Sequence, residues 1–146
     1  MSAVSFFLDT NVLVYTFDKS APDKQAKAST LLEQALLGEG CISFQVIQEF
    51  LNLALRKFDP PMTEAQAKRY LQTTLEPLCL IYADSELYRK ALDMRERWRF
   101  SFYDSVIVAA AVEAGCSILY SEDLQHNQKI GTLTIINPFL QEANHE

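Results

Sequence analysis

Short apolar runs alternate with helix-patterned segments from one end of the chain to the other, and that alternation leaves few folds open. The runs are Val4–Leu8, Cys41–Phe44, Leu78–Tyr82, Ser117–Tyr120 and Thr132–Ile136. Each has the length of a strand rather than of a helix. Between the first two, 22–37 carries Pro22 near its start and Gly38 just past its end, the punctuation of a helix. Residues 44–58 repeat Val46, Ile47, Phe50, Leu51, Leu55 and Phe58 at helical spacing. Pro60-Pro61 then breaks the chain, and Thr63-x-x-Gln66 has capping-box spacing for a helix to about 75. Asp84 opens another to about Arg97, and Ser101-x-x-Asp104 opens a helix that is apolar all round and ends near Gly115. Strands separated by helices predict an α/β fold, a three-layer α/β/α sandwich with a mainly parallel central sheet. No repeat, low-complexity tract or linker interrupts the pattern, so residues 1–146 are expected to form one domain.

Charge narrows the function. The chain carries 13 Lys and Arg against 19 Asp and Glu, a net charge of −6, which argues against a protein that coats nucleic acid indiscriminately. No apolar stretch approaches the roughly 20 residues of a membrane span. The N-terminus lacks the basic segment, apolar core and small-residue cleavage site of a secretory signal, so a cytoplasmic protein is expected. Cys41, Cys79 and Cys116 are odd in number and set among apolar neighbours, which predicts reduced core thiols.

Four carboxylates stand at the seams between elements. Asp9 ends the first apolar run and begins Asp9-Thr10-Asn11; Glu49 lies nearly two turns into the second helix. Asp104 sits in the first turn of the apolar helix, and Asp123 follows the strand that ends at Tyr120. In open α/β sheets, ligands bind outside the carboxyl ends of the strands, an edge all four positions reach only if the strand order, which the sequence does not give, brings them there. Each has a plainer reading. Asp9 fits the cap of a helix starting at Thr10, and Asp104 fits a capping box with Ser101. Glu49 fits a solvated helix margin, and Asp123 an ordinary turn. Four carboxylates converging on one spot would repel one another strongly, and a divalent cation relieves that repulsion. Hard oxygen ligands suit Mg²⁺ or Mn²⁺, which can bridge substrate phosphates, generate a nucleophile from water and stabilise charge on a scissile phosphodiester. Two such ions would bring the net charge to about −2.

In this order and at this spacing, FLDTNVLVY (7–15), SFQVIQEFLN (43–52), SFYDSVIVAAA (101–111) and LYSEDLQ (119–125) resemble the PIN-domain nucleases, particularly VapC-type toxins of toxin–antitoxin modules. The resemblance implies a Mg²⁺- or Mn²⁺-dependent endoribonuclease in which Asp9, Glu49, Asp104 and Asp123 form the metal-binding quartet. It also implies a homodimer held inactive by a cognate antitoxin protein, with RNA as the substrate. Asn11 and Ser121 match supporting polar positions, although a helix-start turn and a turn hydroxyl account for them equally well. Asn127 departs from the glycine common at that point in related sequences; Asn tolerates the left-handed conformation such a turn needs. A housekeeping RNA-processing nuclease and a catalytically silent binding module are the alternatives within the family.

Outside it, a haloacid-dehalogenase-like phosphatase would need a second aspartate where Asn11 stands, and a phospho-receiver would need an acceptor that Asp84 supplies poorly. Arg95, Arg97 and Arg99 surround Trp98 and are candidate RNA contacts, against the plainer reading of a solvated helix face. His126, near Asp123, reads as an ordinary loop histidine.

Overall fold

The structure, a computed structural model, describes residues 4–140. The outer limits of the expected 1–146 domain fall outside that range. Six strands form one sheet in the order β3-β2-β1-β4-β6-β5: β1 (Phe6–Leu8), β2 (Gly40–Ser43), β3 (Cys79–Ile81), β4 (Ile118–Tyr120), β5 (Lys129–Ile130) and β6 (Leu133–Ile136). All neighbours run parallel except β5, which pairs antiparallel with β6. The register sets Phe7 opposite Cys41 on one side and Leu119 on the other. Phe7, Leu8, Ile42, Leu119 and Ile135 are fully enclosed, as strands covered on both faces require.

Helices α1 (Thr10–Tyr15), α2 (Pro22–Gln34), α3 (Phe44–Arg56), α4 (Glu64–Tyr70) and the single turn α5 (Glu76–Leu78) lie in the connections β1–β2 and β2–β3. Helices α6 (Ser85–Trp98) and α7 (Phe102–Glu113) lie in the return from β3 to β4. The first two connections step one way along the sheet and the third steps back. Right-handed crossovers therefore place α1–α5 on one face and α6–α7 on the other, and contacts group the helices accordingly. This is the three-layer α/β/α sandwich.

Local chemistry explains the boundaries. Pro22 opens α2, which runs on through a wider turn to Gly38; there φ is 103°, a value that suits glycine. Thr63 and Gln66 form the reciprocal capping box of α4. Asp84 caps α6 by accepting from Leu87 N–H at 2.8 Å. The apolar helix is indeed interior, with Ser105–Ala111 all buried. VLVY after Asp9 belongs to helix α1, which begins at Thr10 with Asp9 as its cap. One element departs from the sequence reading: the hairpin strand β5, closed by Gly131 at φ 60°, is too short to show a period. Cys41, Cys79 and Cys116 are buried free thiols. Among the described residues no helix is long and apolar enough to cross a membrane.

Candidate functional site

The chain leaves β1 toward β2 on one side, and β4 lies against β1 on the other. The strand order reverses there, and in open α/β sheets the crevice at such a point is the usual ligand site. A cleft of about 530 Å³ opens at this place. Asp9, Asp18, Glu49, Asp104, Glu122 and Asp123 line it with no lysine or arginine among the lining residues, while Val14, Leu53 and Ile107 form an apolar wall. All four sequence-predicted carboxylates therefore face one cavity.

Asp9 is the most enclosed of them. It caps α1, its Oδ1 accepting from Thr10 N–H at 2.8 Å, while Oδ2 accepts from the Ser121 hydroxyl at 2.8 Å. Burial pushes its pKa up to about 6; the Ser121 and Thr10 hydrogen bonds oppose that rise, and the nearby charges of Glu49 and Asp123 add to it. Capping and cleft lining are thus one arrangement, not rivals. Glu49 is half-buried on α3. Its Oε1 accepts from the Thr10 hydroxyl at 2.5 Å, and its Oε2 from Gln45 Nε2 at 3.0 Å. Asp104 lies in the first turn of α7, where Ser101 Oγ accepts from its backbone N–H at 3.1 Å. Only that half of the capping box forms, so the Asp104 carboxylate stays with the cleft.

Asn11 and Ser121 hold the last acidic loop. Asn11 Nδ2 donates to Asp123 Oδ2 at 3.2 Å, and Asn11 Oδ1 accepts from Glu122 N–H at 3.2 Å. Ser121 Oγ, besides donating to Asp9, accepts from the N–H groups of Asp123 and Leu124. Ser121 is both the turn hydroxyl and the partner of Asp9. Asn127 takes φ 69°, the left-handed conformation expected of it. His126 Nδ1 accepts from Asn137 N–H at 2.9 Å, a structural role within its loop.

Three features were missed in the sequence. Thr10 holds Glu49; the DTN triplet drew attention to the acid rather than to the hydroxyl beside it. Gln45, one turn before Glu49, gives its amide hydrogens to Glu49 and to the carbonyl of Tyr103. Both partners are acceptors, which fixes the amide orientation and leaves the buried Oε1 without a donor among the described residues. A polar residue at i−4 from Glu49 on a helix of high apolar content was the available signal. Glu122 forms an ion pair with Lys24 at 2.6 Å and accepts from Tyr15 Oη at 2.7 Å. Burial works to raise Glu122, but these two partners outweigh it and hold the carboxyl below its ordinary range.

The arginines do not form one group. Arg95 and Arg99 border a shallow cleft with Leu92. Arg97 instead stacks over Trp98, 5.1 Å from the ring centroid, in a separate cleft beside Gly115 and Cys116.

The donor set tests whether a cation fits. It is all oxygen and rich in negative charge. Hard divalent ions match that chemistry. Among the described residues no three Asp, Glu, His or Cys side chains are gathered tightly enough to wrap one ion.

Comparison with known proteins follows the same lines. Residues 6–130 match the family model described as PIN domain. None of the curated proteins compared matches the chain. Among solved structures, a toxin–antitoxin complex from Klebsiella pneumoniae is similar with a TM-score of 0.67 at 18% identity, over 92% of this chain and 98% of that one. FitAcB from Neisseria gonorrhoeae has a TM-score of 0.61 at 15% identity, over 92% and 98%. VapC20 from Mycobacterium tuberculosis, described as a sarcin–ricin loop cleaving toxin, has a TM-score of 0.59 at 17% identity, over 82% and 90%. At these identities the likeness is one of fold.

Proposed function

The chain belongs to the PIN domain family, and on that premise we propose that it is a divalent-metal-dependent endoribonuclease, the toxin of a toxin–antitoxin pair. One observation carries the reading: six carboxylates and no basic residue line a single cleft at the point where the strand order reverses. Capping explains Asp9 and the Lys24 ion pair explains Glu122, but neither accounts for gathering Glu49, Asp104 and Asp123 in the same cleft. Burial, with smaller additions from Glu49 and Asp123, raises the Asp9 pKa there.

Asp9, Glu49, Asp104 and Asp123 would hold Mg²⁺ or Mn²⁺. When bound, the ion supplies a nucleophile at neutral pH and neutralises charge on the phosphodiester. The remaining work belongs to the chain. Thr10 and Gln45 fix Glu49, Ser121 fixes Asp9, and Asn11 fixes Asp123. Such preorganisation spares the site from rearranging during reaction. Val14, Leu53 and Ile107 lower the polarity of one side of the cleft, which strengthens the charge interactions beside them.

The toxin role is supported by the Klebsiella pneumoniae relative, described as a toxin–antitoxin complex, and by the RNA-loop-cleaving toxin VapC20. A cognate antitoxin that shields the cleft and a homodimeric assembly complete the proposal. The test is cleavage of several structured and unstructured RNAs by purified protein with Mg²⁺ or Mn²⁺. Cleavage that disappears with chelator and in Asp104→Asn supports the reading. Absence of cleavage, or cleavage indifferent to both, overturns it.

A further inference from the structure

Three aromatic side chains lie open beside the carboxylate cleft. Tyr103, 68% exposed, immediately precedes Asp104, and its carbonyl is held by Gln45, the residue that also holds Glu49. Its ring meets Phe102 edge-on at 5.5 Å, and Phe102 stacks with Tyr88 of α6 at 6.4 Å and 24°. Leu92, exposed and one helical turn beyond Tyr88, continues the strip. It also borders the cleft that contains Arg95 and Arg99, with Glu96 as the one acid there. The strip thus runs from the carboxylates, over three rings, to two arginines. Exposed rings contribute little to folding, and contiguous exposed apolar surface marks a binding site.

We propose that this strip binds the unpaired bases of an RNA strand as it leaves the carboxylate cleft, with Tyr103, Phe102 and Tyr88 as stacking surfaces and Arg95 and Arg99 on the phosphates. The inference rests on the nuclease reading and adds a place for the flanking nucleotides. Aromatic faces accept any base, and arginines beside them meet the backbone charge, the combination that holds single strands. Charge favours RNA over a second copy of the chain: the strip ends at Arg95 and Arg99, which suit a phosphate backbone, and begins at Tyr103, the neighbour of Asp104 in the carboxylate cleft. Arg97 is outside the strip, since it faces the other cleft with Trp98.

The test uses a single-stranded RNA of about ten nucleotides carrying 2-aminopurine, within the length range that such surfaces hold. It is titrated into the full-length protein in chelator, where binding is read without cleavage. Wild type should quench the fluorophore, Tyr103→Phe should match it, and Tyr103→Leu should lose the quench and bind about tenfold more weakly. Arg99→Gln should flatten the salt dependence of binding. Equal quench and affinity in Tyr103→Leu would overturn the strip. So would sedimentation in which Tyr103→Leu turns a dimer into a monomer without altering RNA affinity, which assigns the patch to a second copy. Cleavage in Mg²⁺ separates the two levels. Tyr103→Leu with wild-type KM sinks the strip alone, and a wild type that cleaves nothing sinks the nuclease reading.

Discussion

The hydroxyl of Thr10 donates to Glu49 Oε1 at 2.5 Å, joining the end of β1 to α3 across 39 positions of sequence. Thr10 is buried and its backbone N–H also serves Asp9, so one residue supports two carboxylates. Thr10→Val keeps the volume and removes the hydroxyl. Glu49 retains only its bond from Gln45, and RNA cleavage should fall about 10–100-fold. Kinetics and a thermal melt together check this, the melt moving far less than the rate.

Asp9 carries a pH signature. Its folded pKa is raised from 3.8 to about 6, so the folded chain takes up a proton more readily than the unfolded chain. That contribution to stability is complete below pH 3.8 and is lost as pH rises through about 6. Metal-free protein should therefore gain stability from this group between pH 7 and pH 5. Asp9→Asn should remove that slope. Urea titrations at several pH values decide it, and the same variant should cleave no RNA.

Ser121→Ala should act in the opposite direction. It strips Asp9 of the hydrogen bond that most lowers its pKa. A buried acceptor left without its partner costs about 1–3 kcal/mol. The Asp9 titration, followed by NMR of its side-chain carboxyl carbon, should move above its wild-type midpoint.

Divalent ions should stabilise the folded chain by mass action. At one hundred times the dissociation constant the gain is about 2.7 kcal/mol. The upward shift of the melt in Mg²⁺ or Mn²⁺ should vanish in Asp104→Asn, whose half-buried carboxylate lines the same cleft. Calorimetry on both proteins checks the uptake directly.

Gly40 is required by packing. A methyl group there would collide with the ring of Phe6, itself wedged edge-on against Tyr120 at 5.3 Å. Gly40→Ala should destabilise by about 1–3 kcal/mol. Adding Phe6→Leu should recover part of that loss, a coupling that a double-mutant cycle reads.

The alternation of apolar runs with helical patterns was enough to read the layered sheet, because period and length are local properties. The order of the strands was not legible: which strand lies beside β1 depends on pairing across the whole chain. Asp9 was legible as a candidate because an acid at the end of an apolar run is costly unless it has a task; Glu49, Asp104 and Asp123 joined it by their place at element seams and by the family resemblance. Thr10 and Gln45 were not legible, since a hydroxyl or an amide shows its purpose only when its distant partner is in place. Arg95, Arg97 and Arg99 are close in sequence but divided in the fold: Arg95 and Arg97, two apart on α6, point to opposite sides, and Arg99 lies past the end of that helix.

Asp9 and Ser121 are 112 positions apart, and Asn11 and Asp123 likewise. The front half of this cleft therefore leaves the ribosome before the back half is made. While β4 and the loop after it are unmade or still inside the exit tunnel, neither the Ser121 hydroxyl nor the Asp123 carboxylate can reach its partner. The cleft is thus completed only when synthesis nears its end, whatever the finished protein then does with it.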